Sequence, residues 1–454
     1  MSRKLSNILD INQQLNTRWT VLVQVLETGH TQPSNAGDNY RRLLFTDTQG
    51  TKVFGLIFSS YLRYFLKTFK PYKRYYISNA NLNKTQPHFR INSYEFSWSL
   101  TNYTLVEEYP ENIPPILPCE FHFTPFMELH RHAESNRFQD VRGIVIKCFP
   151  SQEVQQRSDS DEIITKRDVI IVNEEKTLMI LTMWGNFDDH EGRVLENSID
   201  EAPMIFGMRL KATTFNTLSL TTKPGSGLLI NPPVAENLQL HAWYRENKAE
   251  ILQLLEKESY KDGDLLLPYP EEEDITPITE AIASLKTSNT AWVKGKLKLV
   301  NQDKPFSHTG CANCLKPLDA DITWIVTCPS CKTESEVLPI SRASVEINDG
   351  TGKIHGIIST PDIEKFIPFT PAQLKDAEEF GETIYDTIAK SIQSTTVVAY
   401  VRGYQTSFNH QLTTKFSIVK AHIAKSLPNA QPRKQKEPTE TAEADFTNPK
   451  KKAK

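Results

Sequence analysis

Two cysteine pairs constrain this chain more than any other stretch. Cys311-Ala-Asn-Cys314 and Cys328-Pro-Ser-Cys331 are separated by thirteen residues. A two-residue gap lets both sulfurs of a pair reach one ion, and two such pairs at this separation are the spacing of a four-thiolate zinc site. Leu315 to Thr327 can run out and back between them as a small hairpin. Four thiolates close a tetrahedron and leave no position for a substrate water, so the expected cofactor is one structural Zn2+ in a ribbon over residues 308–335. The other two cysteines, Cys119 and Cys148, read as reduced and buried, an intracellular pattern rather than a secreted disulfide framework.

Around the ribbon the chain repeats one local pattern. Arg42-Leu-Leu-Phe-Thr-Asp47 and Lys52-Val-Phe-Gly-Leu-Ile-Phe58 flank a turn at Asp47-Thr-Gln-Gly50, a hairpin signal preceded by the alternating run Trp19 to Leu26. The pattern returns as Val169-Ile-Ile-Val-Asn173 and Thr177 to Trp184, after a first strand at Val141 to Phe149. It returns again as Ala343 to Ile347 and Lys353 to Ile358, joined by Asn348-Asp-Gly-Thr-Gly352. Five strands with one short helical stretch (Tyr61 to Leu66) after the third is the element order of an OB barrel. The 454 residues leave room for about three ordinary domains. The expected fold is therefore all-β: three tandem OB-fold barrels, the third with the inserted ribbon and extra helices. The expected boundaries are 1–110 and 119–240 for the first two barrels, 241–288 for a helix and acidic linker, 289–426 for the third barrel, and 427–454 for a disordered basic tail. The helix is read over Ala242 to Glu258, with Trp243, Ile251, Leu252 and Leu255 as its apolar positions. Pro268 to Asp274 reads as a solvated break. Thr370-Pro371 reads as the cap of a helical segment continuing to about Ser394.

Charge is uneven. Residues 1–110 hold thirteen Lys and Arg against seven Asp and Glu, while 241–285 hold four against eleven. A basic first domain suits a polyanionic partner. No run of eighteen apolar residues occurs, so a membrane-spanning chain is not expected. Catalytic patterns are equally sparse. Gly350-Thr-Gly-Lys353 lacks the full phosphate-loop motif and falls in a hairpin turn. Cys119, His122, His130 and His132 fit no standard metal spacing, and no Ser/His/Asp set is recognisable. The chain is not expected to be an enzyme.

Taken together, Leu181-Thr-Met-Trp-Gly185, Phe215-Asn-Thr-Leu-Ser-Leu220, Ile230-Asn-Pro232 and the cysteine quartet inside an OB hairpin pattern resemble the large subunit of replication protein A, over residues 15 to 425. Plant-type paralogues are close in character. The resemblance implies a single-stranded-DNA-binding protein of replication, repair and recombination. It implies paired aromatics in each of the first two barrels: Phe58 and Phe89, then Trp184 and Phe215. An aromatic at a strand end is by itself more often core than ligand-binding, but its recurrence at the same two places suits stacking platforms. Phosphate contacts are expected from among Arg41, Arg42, Lys52, Lys84 and Arg90, with Lys73 and Arg74 nearby. Three departures stand out. Barrel one starts almost at Met1, where the family usually has another, protein-recruiting OB domain. Strand three of the zinc barrel, Lys353 to Ile358, has no aromatic, although Phe408 matches a later one. Beyond His422 only Ile423 to Leu427 precede the polar tail, where the family has a helix that assembles with two smaller subunits, so that partnership stays open. The basic runs Arg433-Lys-Gln-Lys436 and Lys450 to Lys454 resemble nuclear localisation signals, which places the chain in the nucleus. The alternatives are a single-stranded-RNA binder, a protein-interaction scaffold and, as a minor one, a metal-dependent nuclease.

Overall fold

The computed structural model describes residues 4–13, 18–34, 37–87, 90–155, 163–214, 217–285, 289–300, 304–381, 384–393, 395–408 and 411–425, with the backbone alone for 407, 408 and 411–413.

The first sheet is built from β1 (Thr20–Pro33), β2 (Asn39–Asp47), β3 (Lys52–Phe58), β4 (Arg74–Ser78), β5 (Asn81–Lys84), β6 (Phe96–Ser99) and β7 (Leu105–Glu108), with helix α1 (Ser59–Phe65) after β3. In β1 the alternate residues Val21, Val23 and Val25 point inward and are fully buried, the period-two pattern of a half-covered strand. The β2–β3 turn is fixed by Asp47, whose Oδ1 accepts the amides of Gln49 and Thr51 at 3.0 Å each. Gly50 closes it at φ +82°, with the carbonyl of Pro118 only 2.8 Å from where a Cβ would stand. Such a site admits glycine alone. β4 and β5 are one strand broken at Asn79, where φ is +60°. β4 pairs with β1 and β5 with β6, while β6 returns parallel to β3. The ring β1–β2–β3–β6–β5/β4 thus closes on itself, an OB topology.

The second barrel repeats the ring with β8 (Gln139–Cys148), β9 (Gln152–Gln155), β10 (Ile163–Val172), β11 (Leu178–Trp184), β12 (Met204–Thr213), β13 (Ser219–Thr221) and β14 (Gly227–Ile230). β8, β10, β11, β13 and β12 pair in a closed circle, again with a parallel step, here from β11 to β13. A helical segment ending in α2 (Arg193–Asn197) follows β11, and α3 (Glu236–Glu256) leaves the barrel. α3 begins earlier than the sequence suggests, because its buried face is Leu240, Tyr244 and Ile251. Leu252, one of the expected apolar positions, is exposed.

α4 (Gly263–Leu266) and α5 (Ile278–Ser284) lead to the third barrel: β15 (Thr290–Leu299), β16 (Ser307–Cys311), β17 (Ile325–Thr327), β18 (Glu334–Asn348), β19 (Lys353–Ser359), β20 (Thr396–Phe408) and β21 (Gln411–Ile423). β18 serves two structures. Its first half pairs with β16 and β17 of the ribbon, and its second half with β15 and β19 of the barrel. The expected helix from Thr370 is two helices, α6 (Pro371–Glu379) and α7 (Tyr385–Gln393). Thr370 and Gln373 form a reciprocal capping box at the start. Gly381, in the left-handed region at φ +69°, ends the first helix. Within Pro268 to Asp274 the first three residues pack, Pro270 being buried, while Glu271, Glu272 and Glu273 are exposed. Tyr269 lies against His422, and Ile275 bridges to Trp292.

The barrels pack against one another through buried apolar contacts, while the first keeps an interior of its own. Leu26 and Leu44 of the first barrel share a buried cluster with Ile144, Phe206 and Leu229 of the second. Trp292, Val398 and Tyr400 of the third join the cluster that contains Val141, Leu181 and Ile205 of the second.

Candidate nucleic-acid interface

Register places Phe58 and Trp184 at equivalent points. β3 and β11 are both seven residues long and both end in the aromatic. In the first barrel Leu56 is the parallel partner of Ser99; in the second Thr182 is the partner of Thr221. The aromatic stands two residues beyond that step in each, and therefore on the same face. Phe58 is 37% exposed. Its partner across β2 is Tyr40, with ring centroids 6.2 Å apart. Trp184 is half-buried and oriented: its Nε1 donates to Thr221 Oγ1 at 2.8 Å, and its amide to Thr222 Oγ1 at 3.0 Å. Across β10 it faces Lys166, whose ammonium lies 3.5 Å from Asp168. In the third barrel the same position is Ser359, opposite Arg342. The face of β19 carries Lys353, His355 and Ile357, with no Phe, Tyr or Trp.

Phe89 and Phe215, the second members of the two expected pairs, lie outside the described residues, as does the side chain of Phe408.

The five basic residues separate sharply. Arg41 Nε donates to the Gly29 carbonyl at 2.9 Å, and burial lowers its pKa from the ordinary arginine range. Arg42 lies over the Phe54 ring and reaches Glu27 and the Gly225 carbonyl; burial lowers its pKa too, against the pull of Glu27. Lys52 caps the Glu120 carbonyl at 2.7 Å and sits 4.3 Å from the Phe121 ring centre. Arg90 pairs with Glu95 at 2.9 Å. Lys84, at the end of β5, is exposed. Of the neighbours, Arg74 is held by Glu111 at 2.7 Å and Lys73 by the Glu111 carbonyl at 3.1 Å. Most of these cations brace the barrel or its junction with the next one. Sequence reasoning passed over Tyr40 and Lys166, although both were within reach: counting back from each hairpin turn sets them opposite the terminal aromatic.

The cysteine quartet comes together as its spacing requires. The four sulfurs lie within 4.8 Å of one another, and among the described residues no other group of three or more His, Cys, Asp or Glu side chains does so. Both knuckles use the same backbone scheme. Cys311 N donates to Lys316 O and Leu315 N to Cys311 O; Cys328 N donates to Thr333 O and Lys332 N to Cys328 O, all at 2.8–3.0 Å. Leu315 and Lys332, each following the second cysteine, are both left-handed, at φ +57° and +59°. Four thiolates cannot share this space without a cation. Burial and the neighbouring cysteines push Cys314 up to about 12. Burial opposes the Cys331 thiolate as well, but hydrogen bonds from Thr333 and Asn313 outweigh it and bring that thiol down to about 6. The donor set fits a tetrahedral metal with soft ligands. Cys119 is buried as expected, whereas Cys148 is only half-buried, 3.7 Å from Arg167 Nη1.

These features define a chain of OB barrels carrying outward aromatics and a four-cysteine ribbon. Residues 128–231 match the replication protein A OB domain family. The chain is 24% identical over 393 residues to a replication protein A 70 kDa DNA-binding subunit of Arabidopsis thaliana, covering 84% of this chain and 64% of that protein. It is 22% identical over 435 residues to a second 70 kDa DNA-binding paralogue of the same plant (92% and 68%). It is 22% identical over 431 residues to replication factor A protein 1 of Saccharomyces cerevisiae (89% and 65%). A solved replication protein A heterotrimer bound to single-stranded DNA aligns over 92% of this chain and 96% of that one, at 19% identity and a TM-score of 0.44. The chain is thus similar over most of its length to replication protein A 70 kDa DNA-binding subunits, and it spans about two thirds of the length of these relatives.

Proposed function

We propose that the chain binds single-stranded DNA without catalysis, a reading supported by its similarity to proteins named as DNA-binding subunits. The observation that carries this reading is the shared register of Phe58 and Trp184 in two separate barrels. A strand laid across both would stack a base on each ring, worth roughly 1–3 kcal/mol per stack. Phe89 and Phe215 complete the two pairs in this reading. Tyr40 flanks the first platform, and Lys166 supplies a cation beside the second. Among the basic residues of the first barrel, Lys84 is free to meet phosphate, while Arg41, Arg42, Lys52 and Arg90 chiefly hold the scaffold. Salt dependence should therefore be modest for a chain with this many Lys and Arg.

In the same reading Cys311, Cys314, Cys328 and Cys331 hold one Zn2+. The ion supplies cross-linking alone, joining the two knuckles of a ribbon whose own buried apolar cluster is small. The barrels correspond to residues 1–110, 119–240 and 289–426, with the ribbon at 308–335. We place the protein in the nucleus, in replication, repair and recombination, and leave assembly with smaller subunits as a partner reading.

Fluorescence anisotropy against matched dT and rU oligomers tests the function. Nanomolar dT binding, weakened by Phe58→Ala and Trp184→Ala together, supports it. Preference for rU would move the chain to RNA. Silence toward both would leave a protein scaffold, and metal-dependent shortening of the labelled strand would mark a nuclease.

A further inference from the structure

The β1–β2 hairpin of the first barrel is clasped by the second. Glu27, whose side chain is 5% exposed, lies between two guanidiniums. Arg42 of its own barrel approaches Oε1 at 3.3 Å, and Arg209 of the second barrel approaches Oε2 at 2.5 Å. Both arginines also donate to the Gly225 carbonyl, at 2.6 and 2.7 Å, and both lie over the Phe54 ring. Nearer the tip, His30 Nε2 is 2.8 Å from Glu191 Oε2, with its ring edge-on to Phe187, and the Gln32 amide donates to the Pro224 carbonyl. At the base of the junction the Tyr72 hydroxyl donates to the Ile230 carbonyl and the Leu117 amide to the Pro233 carbonyl, each at 2.9 Å.

The clasp ends on both aromatic sites. Gln32 pairs with Tyr40, and Tyr40 with Phe58. On the other side, Phe187 and Glu191 stand three and seven residues after Trp184 in the chain. Pro224 and Gly225 follow Thr221 and Thr222, the two residues that hold the Trp184 indole and amide. Gly227 leaves no slack: a Cβ there would fall 2.5 Å from the Glu27 carboxylate and 2.9 Å from Arg209 Nη2.

We propose that this clasp sets the two stacking sites in one fixed orientation before any strand arrives, with Glu27, His30 and Arg209 as positioning residues. The inference rests on the single-strand-binding reading. A buried carboxylate held between two half-buried guanidiniums tolerates few alternative geometries, because any rotation of one barrel leaves the Glu27 charge desolvated and short of a partner. Barrels joined by a loose tether must be ordered each time a strand spans them. Barrels already aligned are not, so the second site engages at a higher effective concentration.

The test uses the full chain and the variants Gly227→Val and Glu27→Gln, with His30→Ala combined with Gln32→Ala as a milder pair at the hairpin tip. Small-angle scattering of the free protein reads the clasp. Anisotropy with dT oligomers of roughly 4 and roughly 30 nucleotides separates one-barrel from two-barrel binding. The proposal expects each variant to expand the free protein, to leave the short oligomer within about twofold, and to weaken the long one roughly tenfold or more. Unchanged scattering and unchanged long-oligomer affinity in the variants would overturn it. So would a wild-type profile that already requires independently moving barrels. Should no oligomer bind, the strand-binding reading fails, and scattering alone decides whether the clasp exists.

Discussion

Trp184 differs from Phe58 in how it is held. Its indole N–H is satisfied by Thr221 and its amide by Thr222, so the ring is fixed in orientation while it stays half-buried. Phe58 has no polar atom to anchor its ring, which lies beside Tyr40. Removing either ring should cost roughly 1–3 kcal/mol of oligomer binding, read by anisotropy. Thr221→Val keeps the shape of the pocket and removes the acceptor for the indole. It should weaken binding by a smaller amount, about 0.5–1.5 kcal/mol, while Thr221→Ser should retain most of the wild-type affinity. That Phe58 and Trp184 end equivalent strands could be read from the sequence; Phe89 and Phe215 lie outside the described residues. The fate of the arginines was not, because nothing local to Arg42 says that Glu27, fifteen positions away, and Gly225, in another barrel, will claim its guanidinium.

At the level of elements the hairpins were the clearest part of the sequence, since each turn fixes the register of the strands it joins. The β18–β19 turn also makes a connection that the sequence conceals. Asp349 accepts the amides of Ile278, Thr351 and Gly352 at 2.8–3.0 Å, and so ties the start of α5 to the barrel. Burial favours its neutral form, but these amides and the Thr351 hydroxyl hold its pKa down to about 2. A carboxylate depressed in the folded state stabilises fully above its unfolded pKa, and that contribution fades as pH falls toward the folded value. Thermal unfolding should therefore lose stability between about pH 4 and pH 2, and Asp349→Asn should flatten that part of the curve. The ribbon gives the other element-scale prediction. Its apolar core is little more than Leu318 and Val337 beside the cysteines. Chelation should thus raise amide exchange through the ribbon and loosen residues 290–425 by way of β18, with the first two barrels keeping most of their strand binding. Loss of all binding on chelation would give the third barrel a direct share in it. The division of the Thr370 segment into two helices was hidden for a simpler reason: the periodicity of its apolar residues runs on past Gly381, whose left-handed backbone ends the first helix.

For the whole molecule, the number and order of barrels could be read from the recurring strand-turn-strand unit, but not how the barrels meet. Trp292 and Tyr400 look like core residues of the third barrel, and instead they pack with the interior of the second. Tyr400 donates its hydroxyl to the His130 carbonyl at 2.7 Å. Lys420 is buried against Asp362, with Asp264 from the connecting segment 2.9 Å away. Burial of such groups between barrels depends on pairs of residues far apart in sequence, and no local pattern announces them. The central claim is that a single strand lies on Phe58 and Trp184. Its most direct measurement is the affinity of wild type and of the Phe58→Ala, Trp184→Ala double variant for a long dT oligomer, at matched salt and with scattering confirming an unchanged shape. The account predicts tight wild-type binding and a loss of roughly 2–6 kcal/mol in the double variant, the sum of two stacks. Equal affinity for the two proteins would contradict it.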